Sequence, residues 1–392
     1  MQINWPEILI GGIIGSVLTW LGDNVVAPRV RKWWKGWKQR LALRHYREQA
    51  TPMPPDAFQM YTLGNIQVPV MNLVGSPETP FTLDEVHIEY RPTEMDLQQP
   101  DYPGDLKAAI PHLTQIHKQK HPSGTVVDNP LPRLIGLEQA GETIDNKRGN
   151  LTLTFGLTTF CTFLATNRSL DYAAIPKSGL TPGTQTIREA FVRFPYQLGE
   201  SVLANPLGAH MLLISRSTLQ NPHDQVIIRQ RSSDVALYKE AFQVSSSGFL
   251  STAHCDAGGV PNPFVTAVVE AREELSHLLD LASSDFNLLG ITVNWEDLDL
   301  NAYGYAETGL TVQEILGSFR RDDFETGKLL GLPFNPETLL AHIMDNKWEP
   351  VSVVTICAVL LRFFPQQRVL EIARRLPARK KFWDYYEHSY EH

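Results

Sequence analysis

An apolar run without a charge opens the pattern, residues 8–22 reading ILIGGIIGSVLTWLG. Counted from Trp5, with Glu7 accepted, the stretch is 18 residues long, and continuing past Asp23 and Asn24 to Val26 makes 22. At ~1.5 Å per residue, 18 helical residues reach about 27 Å, close to the ~30 Å hydrocarbon core of a bilayer. The pattern predicts one transmembrane helix. Arg29, Arg31, Lys32, Lys35, Lys38, Arg40, Arg44 and Arg47 follow it, with Trp33, Trp34 and Trp37 among them. Basic residues stay on the cytoplasmic side and Trp prefers the headgroup layer, so the short N-terminus is expected outside and the bulk of the chain inside. A signal peptide would carry its positive charges before the apolar run. The expected division is a membrane anchor at 1–28 and a basic juxtamembrane helix with linker at 29–58. The linker ends in the Pro-rich TPMPPDAF, residues 51–58.

Short β-like runs come next, at 66–74 (IQVPVMNLV), 84–92 (DEVHIEYRP) and 150–160 (NLTLTFGLTTF). Between them, 94–148 is rich in Pro, Asp, Gln and Lys and reads as a long loop or insertion. His117 and His121 lie there, without a carboxylate or cysteine partner, and read as solvated polar residues. Residues 59–200 are therefore expected to be β-rich. From 200 onward AHMLLISRS and QVIIRQRS form a hairpin, AFQVSSSGFL leads to Gly258 and Gly259, and a helix is expected over about 264–281. Strands at 286–295 and 300–310 precede helices after Thr311. The run PVSVVTICAVLLRFF at 350–364 has only about 14 apolar residues between Pro350 and Arg362, too few for a second span. It is expected as a buried core helix, in an α/β part covering 201–392.

The net charge of −8 divides unevenly. Residues 1–50 carry eight Lys and Arg against Glu7, Asp23 and Glu48, giving +5 there and −13 in the remainder. An acidic body excludes general nucleic-acid binding, whereas the basic collar matches anionic lipid headgroups. Cys161, Cys255 and Cys357 are widely separated, which fits a reducing compartment with no disulfide framework and no paired-cysteine zinc motif.

Candidate chemistry centres on VTAVVEAREELSHLL. On a 3.6-residue wheel Val268, Ala271, Leu275, Leu278 and Leu279 form an apolar side, and Glu270, Glu273, Glu274 and His277 the opposite one. Like charges three and four apart repel by about 0.2–0.5 kcal/mol per pair. A divalent metal, an arginine from another strand, or solvent counter-ions would relieve them. The plainer alternative is a solvated acidic face.

The glycine pair, short loop and helix after a hairpin resemble the Nudix box, a glycine, five residues, a glutamate, seven residues, then R-E-U-x-E-E-x-G. Glu270 takes the first glutamate, Glu273 and Glu274 the pair, and Ser276 the glycine, while Val269 stands where the family has arginine. The resemblance implies an α/β fold of α+β type, a Nudix-like α/β/α sandwich carrying an N-terminal β-rich extension and the single transmembrane helix. In active members Glu270, Glu273 and Glu274 would hold magnesium and activate water.

The wider pattern is similar to the SMODS-associated Nudix domains of bacterial antiphage (CBASS) operons. It rests on residues 151–171, 201–217, the IIRQRSSDVALYKEAFQVSSSGF block at 227–249 and the acidic helix. That resemblance implies an inner-membrane effector sensing a cyclic oligonucleotide made by a partner nucleotidyltransferase. The effector would oligomerise and disrupt the bilayer, with no nucleic-acid partner and no required cofactor. Gly11, Gly12 and Gly15 suit helix association within the membrane. Arg229 and Arg231 lie two apart on one strand face, before Ser232, and either clamp phosphates or neutralise the acidic helix. Tyr303 and Tyr305 share a face and either stack on a base or pack in the core. Phe194 and Tyr196, flanking Pro195, offer another aromatic wall. His254 and Cys255 lack further metal ligands and read as core. The basic, aromatic ARKKFWDYYEH near the C-terminus either touches lipid or a neighbouring subunit, or ends the last helix. The alternative function is a membrane-tethered, magnesium-dependent Nudix hydrolase of a nucleoside diphosphate derivative. A third is a tethered interaction protein with no nucleotide ligand.

Overall fold

The computed structural model describes residues 47–92, 102–120, 127–141, 149–176, 184–216, 223–233, 238–319 and 326–377. The expected transmembrane helix, most of the basic collar, His121 and the C-terminal aromatic segment lie outside them. Among the described residues no helix is long and apolar enough to cross a membrane. Residues 1–48 and 49–392 are two separate compact units, and the first contributes only the short strand β1 (Arg47–Glu48) to the described residues.

The second unit begins with β2 (Tyr61–Leu63), β3 (Ile66–Val68), β4 (Val70–Gly75) and β5 (Val86–Tyr90), then α1 (Gly104–Lys120), β6 (Pro130–Gln139) and β7 (Leu151–Thr159). After these come α2 (Phe160–Thr166), β8 (Tyr172–Pro176), β9 (Thr184–Thr186), α3 (Ile187–Phe191), β10 (Leu207–Ser215), β11 (Gln225–Arg231), β12 (Phe242–Gln243) and β13 (Ser246–Phe249). The last third holds α4 (Pro263–Glu274), β14 (Asn287–Asn294), β15 (Leu300–Thr308), α5 (Val312–Ser318), β16 (Thr326–Pro333), α6 (Pro336–Asp345), α7 (Pro350–Phe363) and α8 (Gln366–Arg375).

An eight-stranded mixed sheet organises this unit, running β12-β11-β10-β15-β14-β4, with β13 also paired to β10 and β16 to β11. β10 and β15 are parallel from Leu207–Leu300 to Ser215–Thr308. The expected hairpin of β10 and β11 is antiparallel, Leu213 facing Ile227. Side chains alternate across the sheet. Leu212, Ile214, Val226, Ile228, Tyr303 and Tyr305 point to one side and pack with Val353, Cys357 and Leu360 of α7. Arg229 follows Ile228 and so points to the other side, where α4 lies against β10 and β13. The sheet is thus covered on both faces, and its central strands read as near-continuous apolar runs for that reason.

Residues 350–364 are the core helix expected: α7 is buried from Pro350 to Leu360. Two expectations are corrected. The stretch 94–148 is not a plain loop, because it supplies α1 and β6. Leu106, Ala109, Leu113 and Ile116 are the buried side of α1, a helical spacing hidden by Pro111 and the polar residues around it. β16 interrupts the helices expected after Thr311 and pairs with β11 from Gln225–Pro333 to Arg231–Thr326. β4, from before residue 200, pairs with β14 from Asn294–Val70 to Gly290–Gly75 and finishes the later sheet.

Ile356 is fully buried inside α7. Ile356→Ala should lower unfolding stability by about 2–5 kcal/mol through lost transfer energy and a cavity. Leu316→Ala, at an exposed position of α5, should stay within about 0.5 kcal/mol. Urea unfolding of the two variants checks both values.

Candidate functional site

The loop before the acidic helix is built locally. Asp256 Oδ1 accepts from the amides of Gly258 (2.8 Å) and Val260 (3.1 Å), and Gly259 sits at φ +75°, a conformation that costs glycine little. Asn262 then caps α4, its side chain accepting from Phe264 N at 2.9 Å, with Pro263 in the first turn. α4 ends at Glu274, seven residues short of the expected limit. Arg272 explains the stop: its guanidinium donates to the carbonyls of Leu279 (3.2 Å) and Leu281 (2.5 Å), folding the chain back on the helix end.

The acidic residues of α4 diverge. Glu274 is 6% exposed and accepts from Arg229 Nη1 and from the Ser247 amide (2.9 Å). Arg229 is 1% exposed and also donates to Gln243 Oε1 (3.0 Å), Ser247 Oγ (3.0 Å) and Thr326 Oγ1 (3.3 Å). Glu270 lies against β13, where a Cβ on Gly248 would overlap its carboxylate, and its Oε1 is 3.9 Å from His254 Nδ1. Glu273 and His277 are exposed. The four residues therefore share no solvated face, because Glu270 and Glu274, one turn apart, both turn toward the sheet.

A magnesium site needs oxygen ligands converging on one point. Among the described residues no three His, Cys, Asp or Glu side chains are so grouped. One carboxylate of the expected set is bonded to arginine and another faces solvent. The residues present do not fit the metal, and no step is routed through one.

Arg229 and Arg231 do share a face of β11, and both converge on Gln243 Oε1, Arg231 Nη1 donating at 3.2 Å. Arg229 neutralises the acidic helix; Arg231 and Ser232 are half-buried at the strand end. Tyr303 and Tyr305 also share a face, but they are 2% and 5% exposed beneath α7. Tyr303 donates to Asn72 Oδ1 (3.3 Å), and Tyr305 meets Phe363 edge-on, ring centres 5.0 Å apart. They are core residues, since β15 is an interior strand. Cys255 Sγ donates to the Thr252 carbonyl (3.1 Å). His117 is corrected too: its Nε2 lies 2.9 Å from Ser169 Oγ and its ring packs near Tyr172. Phe194 and Tyr196 line a cavity of about 170 Å³.

A buried acidic cluster had no counterpart in the sequence reading. The turn from β14 to β15 carries Glu296, Asp297 and Asp299. Asp297 pairs with Arg168, and Asn294 Nδ2 donates both to Asp297 Oδ1 (3.2 Å) and to Tyr238 Oη (3.0 Å). Tyr238 donates to Glu296 Oε2 at 3.0 Å. Burial, reinforced by Asp297, pushes the Glu296 carboxyl up to about 7, and burial raises Asp299 as well. Nearby, His210 Nε2 meets Asn301 Oδ1 at 2.9 Å, its Nδ1 is 3.6 Å from Glu349, and burial lowers its pKa. The only trace in the sequence was the acid-rich NWEDLD at a strand end, which reads equally as a solvated turn.

No family profile matches this chain, and no curated protein does. Among solved structures, a Deinococcus radiodurans protein is similar at 18% identity, covering 38% of this chain and 80% of its own, with a TM-score of 0.27. A mutT/nudix family protein from Listeria innocua is similar at 14% identity, covering 40% and 92%, with a TM-score of 0.30. A NUDIX hydrolase from Alicyclobacillus acidocaldarius is similar at 12% identity, covering 40% and 91%, also at 0.30. Likenesses at this level carry no inference about chemistry, and the site stands on its own geometry.

Removing one partner of a desolvated ion pair strands the other, so Arg229→Met should cost about 3–5 kcal/mol in urea unfolding. The double variant Arg229→Met/Glu274→Met should recover most of that loss. The raised Glu296 carboxyl binds its proton more tightly folded than unfolded. Its contribution is therefore fully present below about pH 4.5 and lost as pH rises through about 7. Unfolding stability of Glu296→Gln, measured from pH 5 to 8, should fall less with rising pH than that of the parent protein.

Proposed function

We propose that this chain is a membrane-tethered receptor whose Nudix-like domain binds a cyclic oligonucleotide second messenger without hydrolysing it. The supporting observation is the closure of Glu274 by Arg229 and the Ser247 amide. A carboxylate bonded to a buried guanidinium is a poor ligand for a divalent cation, which favours binding over metal-dependent hydrolysis. The Nudix-like reading draws on the glycine turn, the acidic helix after a hairpin and the coverage of a mixed sheet on both faces. The cyclic ligand, the antiphage setting, oligomerisation and inner-membrane disruption come from the family resemblance, and the N-terminal apolar run with its basic collar suits them. Half-buried Arg231, held beside Arg229 through Gln243, is the side chain assigned to the ligand phosphate.

The test is a thermal-shift screen of the purified full-length protein against cyclic di- and trinucleotides, and against linear diphosphates with magnesium. A ligand at 100 times its Kd adds ~2.7 kcal/mol, a shift of a few degrees. Stabilisation by one cyclic species is expected, unchanged by EDTA, with the nucleotide recovered intact and the shift lost in Arg231→Ala. Consumption of a linear diphosphate that requires magnesium and is abolished by Glu274→Gln would overturn the proposal in favour of a hydrolase.

A further inference from the structure

The cavity lined by residues 191–203 lies away from the acidic helix and has no part in the site above. We infer that it is a nucleobase pocket, taking one base of a nucleotide ligand by stacking and edge hydrogen bonds. The inference deepens the nucleotide-binding proposal and rests on it for the identity of the full ligand.

Size sets the first limit. The cavity has a volume of about 170 Å³ and is half-open to solvent. It suits a single ring system and leaves any sugar and phosphate outside. The walls set the second. Phe194 and Tyr196 lie with ring centres 6.2 Å apart and planes tilted by 34°. Flat aromatic walls bind bases through their π-faces. The polar residues are those a base edge requires: Gln197, Glu200 and Ser201 supply amide, carboxylate and hydroxyl groups to the same cavity. With its amide nitrogen facing Glu200, Gln197 donates to both carboxylate oxygens, at 2.9 and 3.0 Å. An aliphatic ligand would desolvate these groups without replacing their hydrogen bonds. Exposed Arg193 also lines the cavity, its guanidinium donating to the carbonyls of Glu189 (3.3 Å), Ala190 (2.9 Å) and Val192 (2.9 Å) at the end of α3.

The walls are braced from behind. Phe194 packs on Phe58 and Trp295, ring centres 5.7 and 5.6 Å away. Tyr196 donates to Asn205 Oδ1 at 2.8 Å, which fixes its ring. Buried Arg133 donates to the carbonyls of Ser201 (2.6 Å) and Leu203 (3.2 Å), clamping the opposite wall to β6. Such a site spends little ordering entropy on binding.

The experiment is isothermal titration of the full-length protein with AMP, GMP, CMP and UMP, and with the panel of cyclic di- and trinucleotides. The variants are Phe194→Ala, which removes a stacking wall, and Gln197→Trp, which fills the cavity from an exposed position and leaves the core intact. Each is expected to weaken mononucleotide and cyclic-nucleotide binding by about 5- to 150-fold, the worth of one base stack. If Phe194→Ala fails to fold, Gln197→Trp alone carries the comparison. Cyclic nucleotides bound equally by parent and variants would overturn the pocket and leave the proposed function standing. Mononucleotides bound and weakened as expected, with no cyclic species bound, would uphold the pocket and overturn the proposed function. Absence of any nucleotide binding would overturn both.

Discussion

The pairing of Arg229 with Glu274 is the interaction on which the α4 side of the sheet depends. Both side chains are almost wholly buried, and moving two such charges out of solvent costs several kcal/mol per ion unless their remaining hydrogen-bonding capacity is met. Here it is met largely by residues of other elements: Gln243 from β12, Ser247 from β13 and Thr326 from β16. The pair therefore acts as a junction. It ties the last turn of α4 to four strands, β11, β12, β13 and β16, and holds the helix in the rotation that turns Glu270 toward the sheet. In that rotation the Glu270 carboxylate lies over Gly248, and a side chain at 248 would have to displace it.

The same junction decides what α4 can do. Three carboxylates on one helical turn suggest a cation, and the molecule supplies that cation from within, on the neighbouring strand. Glu273 remains in solvent and Glu270 faces a strand glycine, so the charges are dispersed over three environments and form no coordination sphere. On the opposite face α7 covers the sheet with apolar side chains, and Tyr303 and Tyr305 belong to that packing. A second buried polar cluster lies near the β14–β15 turn, around Arg168, Tyr238 and Glu296. There hydrogen bonding offsets only part of the cost of burial, and protonation of Glu296 meets some of the rest.

Much of this was legible along the chain. Alternating and continuous apolar runs placed β5, β7, the β10–β11 hairpin, β14 and β15, and the run bounded by Pro350 and Arg362 was too short for anything but a core helix. The two-residue spacing of Arg229 and Arg231 put them on one strand face, with neutralisation of the acidic helix among the alternatives. α1 was hidden by an internal proline and a weakly apolar face, and β16 by its two glycines amid helical surroundings. The inward rotation of Glu274 was beyond any helical wheel, because a wheel ranks residues by polarity, and this carboxylate is buried by a partner 45 positions away in the sequence. The buried acidic cluster was out of reach for a similar reason, since Arg168 and Tyr238 come from distant parts of the chain to meet the turn.

The central claim is that Arg229, and no divalent metal, answers the charge of the acidic helix. Manganese binding to the purified protein, followed by electron paramagnetic resonance of the free ion, tests it most directly. The account expects the free-ion signal to match a protein-free control for the parent and for Glu274→Gln alike. Stoichiometric loss of free manganese in the parent, abolished by Glu274→Gln, would contradict it.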